Sequence, residues 1–170
     1  MGRISDAISK HIAELEAQKS ELKDKSAKAE GNKNTACSIY ATQNNFLKDL
    51  NCYKNTIKNK IKALQDKMQA EIRDAIRNNK STAGIEAYYG KEIAALNSQL
   101  EILNINVNKQ FGETKIAENS YFNAKIKGYA IDGEFISTCH ELGSEYLTKG
   151  RLEQQEIVNS YVTKPIDYLG

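Results

Sequence analysis

Apolar residues recur at spacings of four and three along most of this chain. Starting from Ile8, positions 8, 12, 15, 19, 22, 26, 29, 33, 36, 40, 43, 47, 50, 54, 57, 61, 64 and 68 keep one phase, and thirteen of the eighteen are apolar. A stripe with that period occupies one side of a helix and calls for a second helix to cover it. The five exceptions, Lys19, Ser26, Lys33, Gln43 and Lys54, cluster mostly around Gly31-Asn32. That pair is a plausible left-handed cap and turn, so the reading places a break there, with an amphipathic N-terminal helix over 1–31.

The strongest seam follows. Leu47, Leu50, Ile57, Ile61, Leu64 and Met68 hold the phase, after which Ile72 and Ile76 shift by four residues. A turn is expected at 78–84, where Asn78-Asn79-Lys80-Ser81-Thr82-Ala83-Gly84 interrupts the pattern and Ser81 or Thr82 is available as a cap. A short link makes the next helix fold back antiparallel on the one before it. That next helix, from about 85 to 127, carries Ile85, Tyr89, Ile93, Leu96, Leu100, Leu103 and Val107, and then more weakly Gln110, Thr114, Ala117, Tyr121 and Ala124. Residues 32–127 therefore read as a long antiparallel helical hairpin. Gln43 and Lys54 in one arm, and Gln110 and Thr114 in the other, leave its far end thinly filled, so a third element is expected there, either the N-terminal helix or another subunit.

Residues 128–170 read differently, because five glycines cut them into short pieces. Asp132-Gly133 between apolar residues is a hairpin signal. Phe135, Cys139, Leu142 and Tyr146 recur instead at helical spacing, and Thr138 with Glu141 forms a capping-box pair, which favours a short helix. A further helix fits 151–163, stopped by Lys164-Pro165, with an extended tail from Ile166 to Gly170. The fold class is all-α: an elongated antiparallel coiled-coil hairpin, an N-terminal helix and short C-terminal helices.

Composition supports this reading. There is one Pro in 170 residues, and β-branched supply is 18 Ile but only 3 Val and 8 Thr, which effectively rules out an all-β fold. Net charge is +2, yet residues 48–80 hold nine Lys or Arg against four Asp or Glu, while 128–170 hold three against seven. Such a gradient suits head-to-tail assembly, or docking of the tail on the middle. Apolar runs never reach the length of a membrane span, and the start has no Sec-type apolar core, so a cytoplasmic or particle-associated protein is expected.

Catalytic chemistry finds little to work with. Cys139-His140-Glu141 joins a nucleophile, a base and an acid, but neighbouring helical residues diverge by about 100° and cannot converge on one atom. His11 reads as a helix-flank residue. The three Cys and two His match no metal-ligand spacing, and no glycine-rich phosphate loop is present, so no metal or cofactor is expected. Lys54, Lys58 and Lys62 share one side of a helix and suit an acidic partner. With almost no Arg or aromatic residue between them, nucleic acid is the weaker reading.

Tyr88-Tyr89-Gly90, just past the turn, resembles the WXG-type secreted helical hairpins of type VII secretion in having an aromatic-x-Gly element beside a helix-turn-helix bend. The resemblance covers three residues and a topology, with Tyr for Trp, longer arms and no Tyr-x-x-x-acid motif behind the second arm. It implies a secreted hairpin or effector partner. The reading from the residues themselves is a non-enzymatic structural or adaptor protein. Its apolar seam (Leu47, Leu50, Ile57, Ile61, Leu64, Met68, Ile93, Leu96, Leu100, Leu103, Val107) would hold itself or another helical protein, as a homo-oligomer or as part of a hetero-complex such as a secretion or viral particle.

Overall fold

The computed structural model describes residues 2–169, with side-chain surroundings for residues 3–161. It holds two helices, α1 (Gly2–Arg77) and α2 (Ala83–Leu169), packed against each other as a hairpin, with no strand among the described residues. By contacts the chain divides into two units: Met1–Thr35 with Phe122–Gly170, and Ala36–Tyr121.

The turn has a specific chemistry. Asn79 takes the left-handed conformation (φ 54°), Lys80 N–H donates to the Ala75 carbonyl at 2.7 Å and Asn79 N–H to that of Ile76 at 3.1 Å. This is the Schellman pattern that satisfies the last carbonyls of a helix, here with Asn where Gly is commoner. On the other side Glu86 N–H reaches the Thr82 carbonyl at 3.0 Å, while Ser81 Oγ accepts from Ala83 N–H at 3.4 Å. The link is therefore 78–82, slightly shorter than the expected 78–84, and Gly84 lies within α2.

Three expected interruptions are absent. α1 runs through Gly31-Asn32 unbroken, and the Thr35 hydroxyl donates to the Gly31 carbonyl four residues back at 3.0 Å. One glycine costs a helix interior about 1 kcal/mol relative to alanine, less than the packing lost by breaking a seam whose phase never resets. α2 likewise runs through Asp132-Gly133, so neither a hairpin nor separate short helices form. Thr138, expected as a cap, is buried mid-helix. α2 also continues through Lys164-Pro165 to Leu169, where a stop and an extended tail were expected. The proline there removes one amide from the ladder close to the helix end. Gly170 lies outside the described residues.

In the Ala36–Tyr121 unit, Ile57, Ile61 and Leu103 form the core, with half-buried Leu50, Ile93, Leu96 and Leu100 packed on it. Near the turn, buried Tyr89 donates its hydroxyl to Glu71 at 2.7 Å, and Tyr88 stands edge-on to it at 5.2 Å between centroids. The expected shift is seen at Ile72, half-buried where Glu71 is exposed, but does not extend to Ile76. Ala75 is buried and Ile76 is 63% exposed, because Ala75 returns to the original phase.

In the unit formed by Met1–Thr35 and Phe122–Gly170, Ile12 and Leu15 meet Leu142, with Ile8 packed alongside. Polar contacts flank this core: Ser26 Oγ donates to Asp132 at 2.8 Å, Tyr146 to Glu16 at 2.8 Å, and His11 Nε2 lies 3.2 Å from Glu141. The N-terminal stretch is thus engaged by the C-terminal half of α2.

Candidate interaction faces

The far end of the seam in the Ala36–Tyr121 unit, thinly filled by sequence, closes through a polar layer. Gln110 Nε2 donates to Gln43 Oε1 at 2.6 Å and to the Gln43 carbonyl at 3.2 Å, and the Thr114 hydroxyl reaches that same carbonyl at 3.2 Å. Thr114 is 5% exposed. One step further out, Tyr40 and Tyr121 stack with centroids 6.2 Å apart and planes 9° from parallel. Buried polar partners of this kind lose free energy if the helices slide, and so favour one register.

Of the seam residues named from sequence, Ile57, Ile61, Leu103, Leu50, Ile93, Leu96 and Leu100 pack together across the two helices. Ile57, Ile61 and Leu103 are buried; Leu47, Leu50, Leu64, Met68, Ile93, Leu96, Leu100 and Val107 are half-buried. The lysines divide: Lys54 is half-buried at a seam position, where its stem covers apolar surface, while Lys58 and Lys62 are exposed. Cys139, His140 and Glu141 also diverge. Cys139 is half-buried, His140 is exposed and Glu141 turns to His11. All three cysteines are free, and no cluster of three or more His, Cys, Asp or Glu that could hold a metal is found among the described residues. Tyr88-Tyr89-Gly90 lies in the helix of α2 and not in the bend. No described helix is long and apolar enough to cross a membrane.

What the seam leaves outside is more informative. In the Ala36–Tyr121 unit, Ile39, Phe46 and Tyr53 recur every seven residues on α1 and are each about half exposed (51, 51 and 52%). A shallow groove there is lined by Ala36, Ile39, Gln43, Ile116 and Ala117, which brings an exposed isoleucine from each helix to one side. In the other unit the asymmetry is sharper. Of its exposed large apolar side chains among the described residues, α1 supplies Ile4 alone, whereas α2 supplies Phe122, Ile126, Tyr129, Ile136, Tyr146, Leu147, Ile157, Val158 and Tyr161.

Most of these form a second stripe on α2, at 122, 126, 129, 133, 136, 140, 143, 147, 150, 154, 157 and 161, in strict four-three alternation. Its residues are Phe, Ile, Tyr, Gly, Ile, His, Gly, Leu, Gly, Gln, Ile and Tyr, and every one is exposed. The neighbouring outer positions are Asn123, Ala130, Ser137 and Ser144. From 122 to 150 this outer face carries no Asp, Glu, Lys or Arg. A solvated helix face is ordinarily charged, and contiguous apolar surface of this kind marks an interaction site. Sequence reading missed it because the glycines looked like breakers; the four-three phase of the residues around them was the available signal.

Compared with protein-family models, with curated proteins and with solved structures, the chain matches none.

Proposed function

We propose that this protein is a non-enzymatic structural or adaptor subunit whose two helices wind about each other as a coiled coil and whose outer faces hold other helical proteins within a larger assembly. The observation that carries the reading is the uncharged outer face of α2, where Phe122, Ile126, Tyr129, Ile136 and Leu147 are 48, 65, 67, 64 and 66% exposed in one phase. A catalytic role needs convergent titratable groups in a concave pocket. The groups here that draw together, His11 with Glu14 and Glu141, sit on an exposed flank with ring nitrogens 3.9 and 3.2 Å from the two carboxylates and outside any concave pocket among the described residues.

Two helices bury less of their surface than a compact domain does, so further helices packing on the outer face fit the physics of the seam. The WXG-like and nucleic-acid readings have no comparable observation behind them. The test is recovery of the tagged chain from its native source, followed by lysine cross-linking and mass spectrometry. The reading expects cross-links from a partner, or from a second copy, to Lys125 and Lys127 beside the outer face of α2. A chain recovered alone and monomeric, with no such cross-links, overturns it.

A further inference from the structure

Resting on that reading, we infer that the outer face of α2 over 122–158 pairs with the same face of a second copy, antiparallel, with the two-fold axis at His140. The pattern of large and small residues carries the inference. About His140, the sequence of α2 is complementary to its own reverse. To within one residue, the axis sets Ile136 against Gly143, Leu147 against Gly133 and Tyr129 against Gly150, so that these three large side chains of one copy each meet a glycine of the other, while Ile126 meets Gln154. Further out, Phe122 faces Ile157. An isologous contact requires this kind of self-complementarity. A parallel, in-register pairing sets Ile against Ile and Gly against Gly, which leaves voids between the glycines.

Three further observations agree. First, glycine is the poorest helix former after proline, and a Cβ at Gly133, Gly143 or Gly150 meets nothing within 4 Å, so packing inside the chain does not require glycine at these positions. Close approach by a second helix gives a reason for it. Second, with no formal charge from 122 to 150 on this face, a copy meets its twin without like-charge repulsion even though 128–170 is acidic as a whole. Third, the area suffices. Phe122, Ile126, Tyr129, Ile136, Leu147 and Ile157 are each roughly half to two-thirds exposed. At on the order of 100 Å² apiece they offer about 600 Å² per copy, at the low end of the roughly 600–1,000 Å² per partner of a standard interface.

The axis gives a direct test in the full chain with Cys37, Cys52 and Cys139 changed to Ser. His140→Cys places two thiols at the two-fold, within disulfide reach, and mild oxidation should link the copies. Ile126→Cys, far from the axis, should not. Linking at both positions means a parallel pair and overturns the antiparallel register; linking at neither overturns the interface.

Sedimentation equilibrium supplies the second arm. The native chain should dimerise. Gly143→Leu, which fills the space opposite Ile136, and Ile136→Glu should each weaken the dimer at least tenfold, while Gly143→Leu keeps or raises the helical melting temperature measured on dilute monomer. A dimer indifferent to both variants sinks this face but leaves the adaptor reading standing. A native chain that stays monomeric and partitions onto phosphatidylcholine vesicles overturns the inference in favour of a lipid surface. A monomer that binds neither vesicles nor any partner in the cross-linking experiment overturns the inference and the adaptor reading together.

Discussion

Gly31→Ala distinguishes a continuous α1 from a broken one by the sign of a stability change. In the structure Gly31 is exposed mid-helix, no glycine has a positive φ among the described residues, and a methyl group added at Gly31 meets nothing within 4 Å. Alanine then removes glycine's helix penalty without adding strain, a gain of about 0.8–1.0 kcal/mol. For a chain of this size that corresponds to a rise in Tm of about 2–4 °C. If the chain instead turned at Gly31 through the left-handed region, alanine would cost about 1–2 kcal/mol and Tm would fall. Circular dichroism melts of the wild type and Gly31→Ala decide between them, with Gly31→Pro as the opposite control, expected to lose about 3 kcal/mol or more. A lower Tm for the alanine variant refutes the continuous helix.

Four other outcomes follow from particular contacts. Ile57, 1% exposed, should cost about 2–5 kcal/mol on replacement by alanine, while Ile105, 67% exposed, should change stability by no more than about 0.5 kcal/mol in denaturant titrations of the isolated chain. Gln110→Ala strands the Gln43 side-chain oxygen, the carbonyl keeping Thr114, and should cost about 1–3 kcal/mol, whereas Gln43→Leu combined with Gln110→Leu should recover most of that loss at the expense of a unique register, seen as broadened amide resonances. Tyr89, held to Glu71, has its hydroxyl pushed up to about 12 by the hydrogen bond to that carboxylate, so it should be the last tyrosine to ionise in an ultraviolet titration, a step missing in Tyr89→Phe. The sign follows from linkage: with the folded value above the ordinary 10, this bond stabilises fully below about pH 10 and its contribution is lost as pH rises toward 12, so the stability difference between wild type and Tyr89→Phe should shrink across that window.

The seam was legible in the sequence almost residue by residue. Each of the eighteen α1 positions in phase from 8 to 68 is buried or half-buried, including the polar Lys19, Ser26, Lys33, Gln43 and Lys54. Phase, more than residue type, decided which side of the helix faced inward. The turn was legible because Asn78-Asn79 and Ser81-Thr82 carry the chemistry that ends one helix and starts another. What misled was punctuation. Gly31 and Gly133 are weak local signals, Pro165 a stronger one that falls close to the end of α2, and α1 and α2 continue through them because each residue added to an existing helix gains a backbone bond and a share of the seam. Two features depended on partners distant in sequence. The polar layer becomes visible once Gln43 is known to stand beside Gln110 and Thr114. The C-terminal seam is half polar, with Thr138, Glu145, Lys149 and Glu156 among its inward positions, and shows its phase once Ile12 and Leu15 are known to cover Leu142.

The central claim is that α2 folds back to pair with α1, in the unit of Met1–Thr35 and Phe122–Gly170 as well as near the turn. Spin labels at Lys10 and Ser144, both exposed and on opposite helices of that unit, test it directly in a cysteine-free chain. Packed helix axes lie 8–10 Å apart, so with label arms the account predicts a single distance population within about 30 Å. A population beyond the range of double electron–electron resonance, or a broad one without a short component, would mean that the C-terminal half of α2 does not cover the start of α1, and would contradict the account.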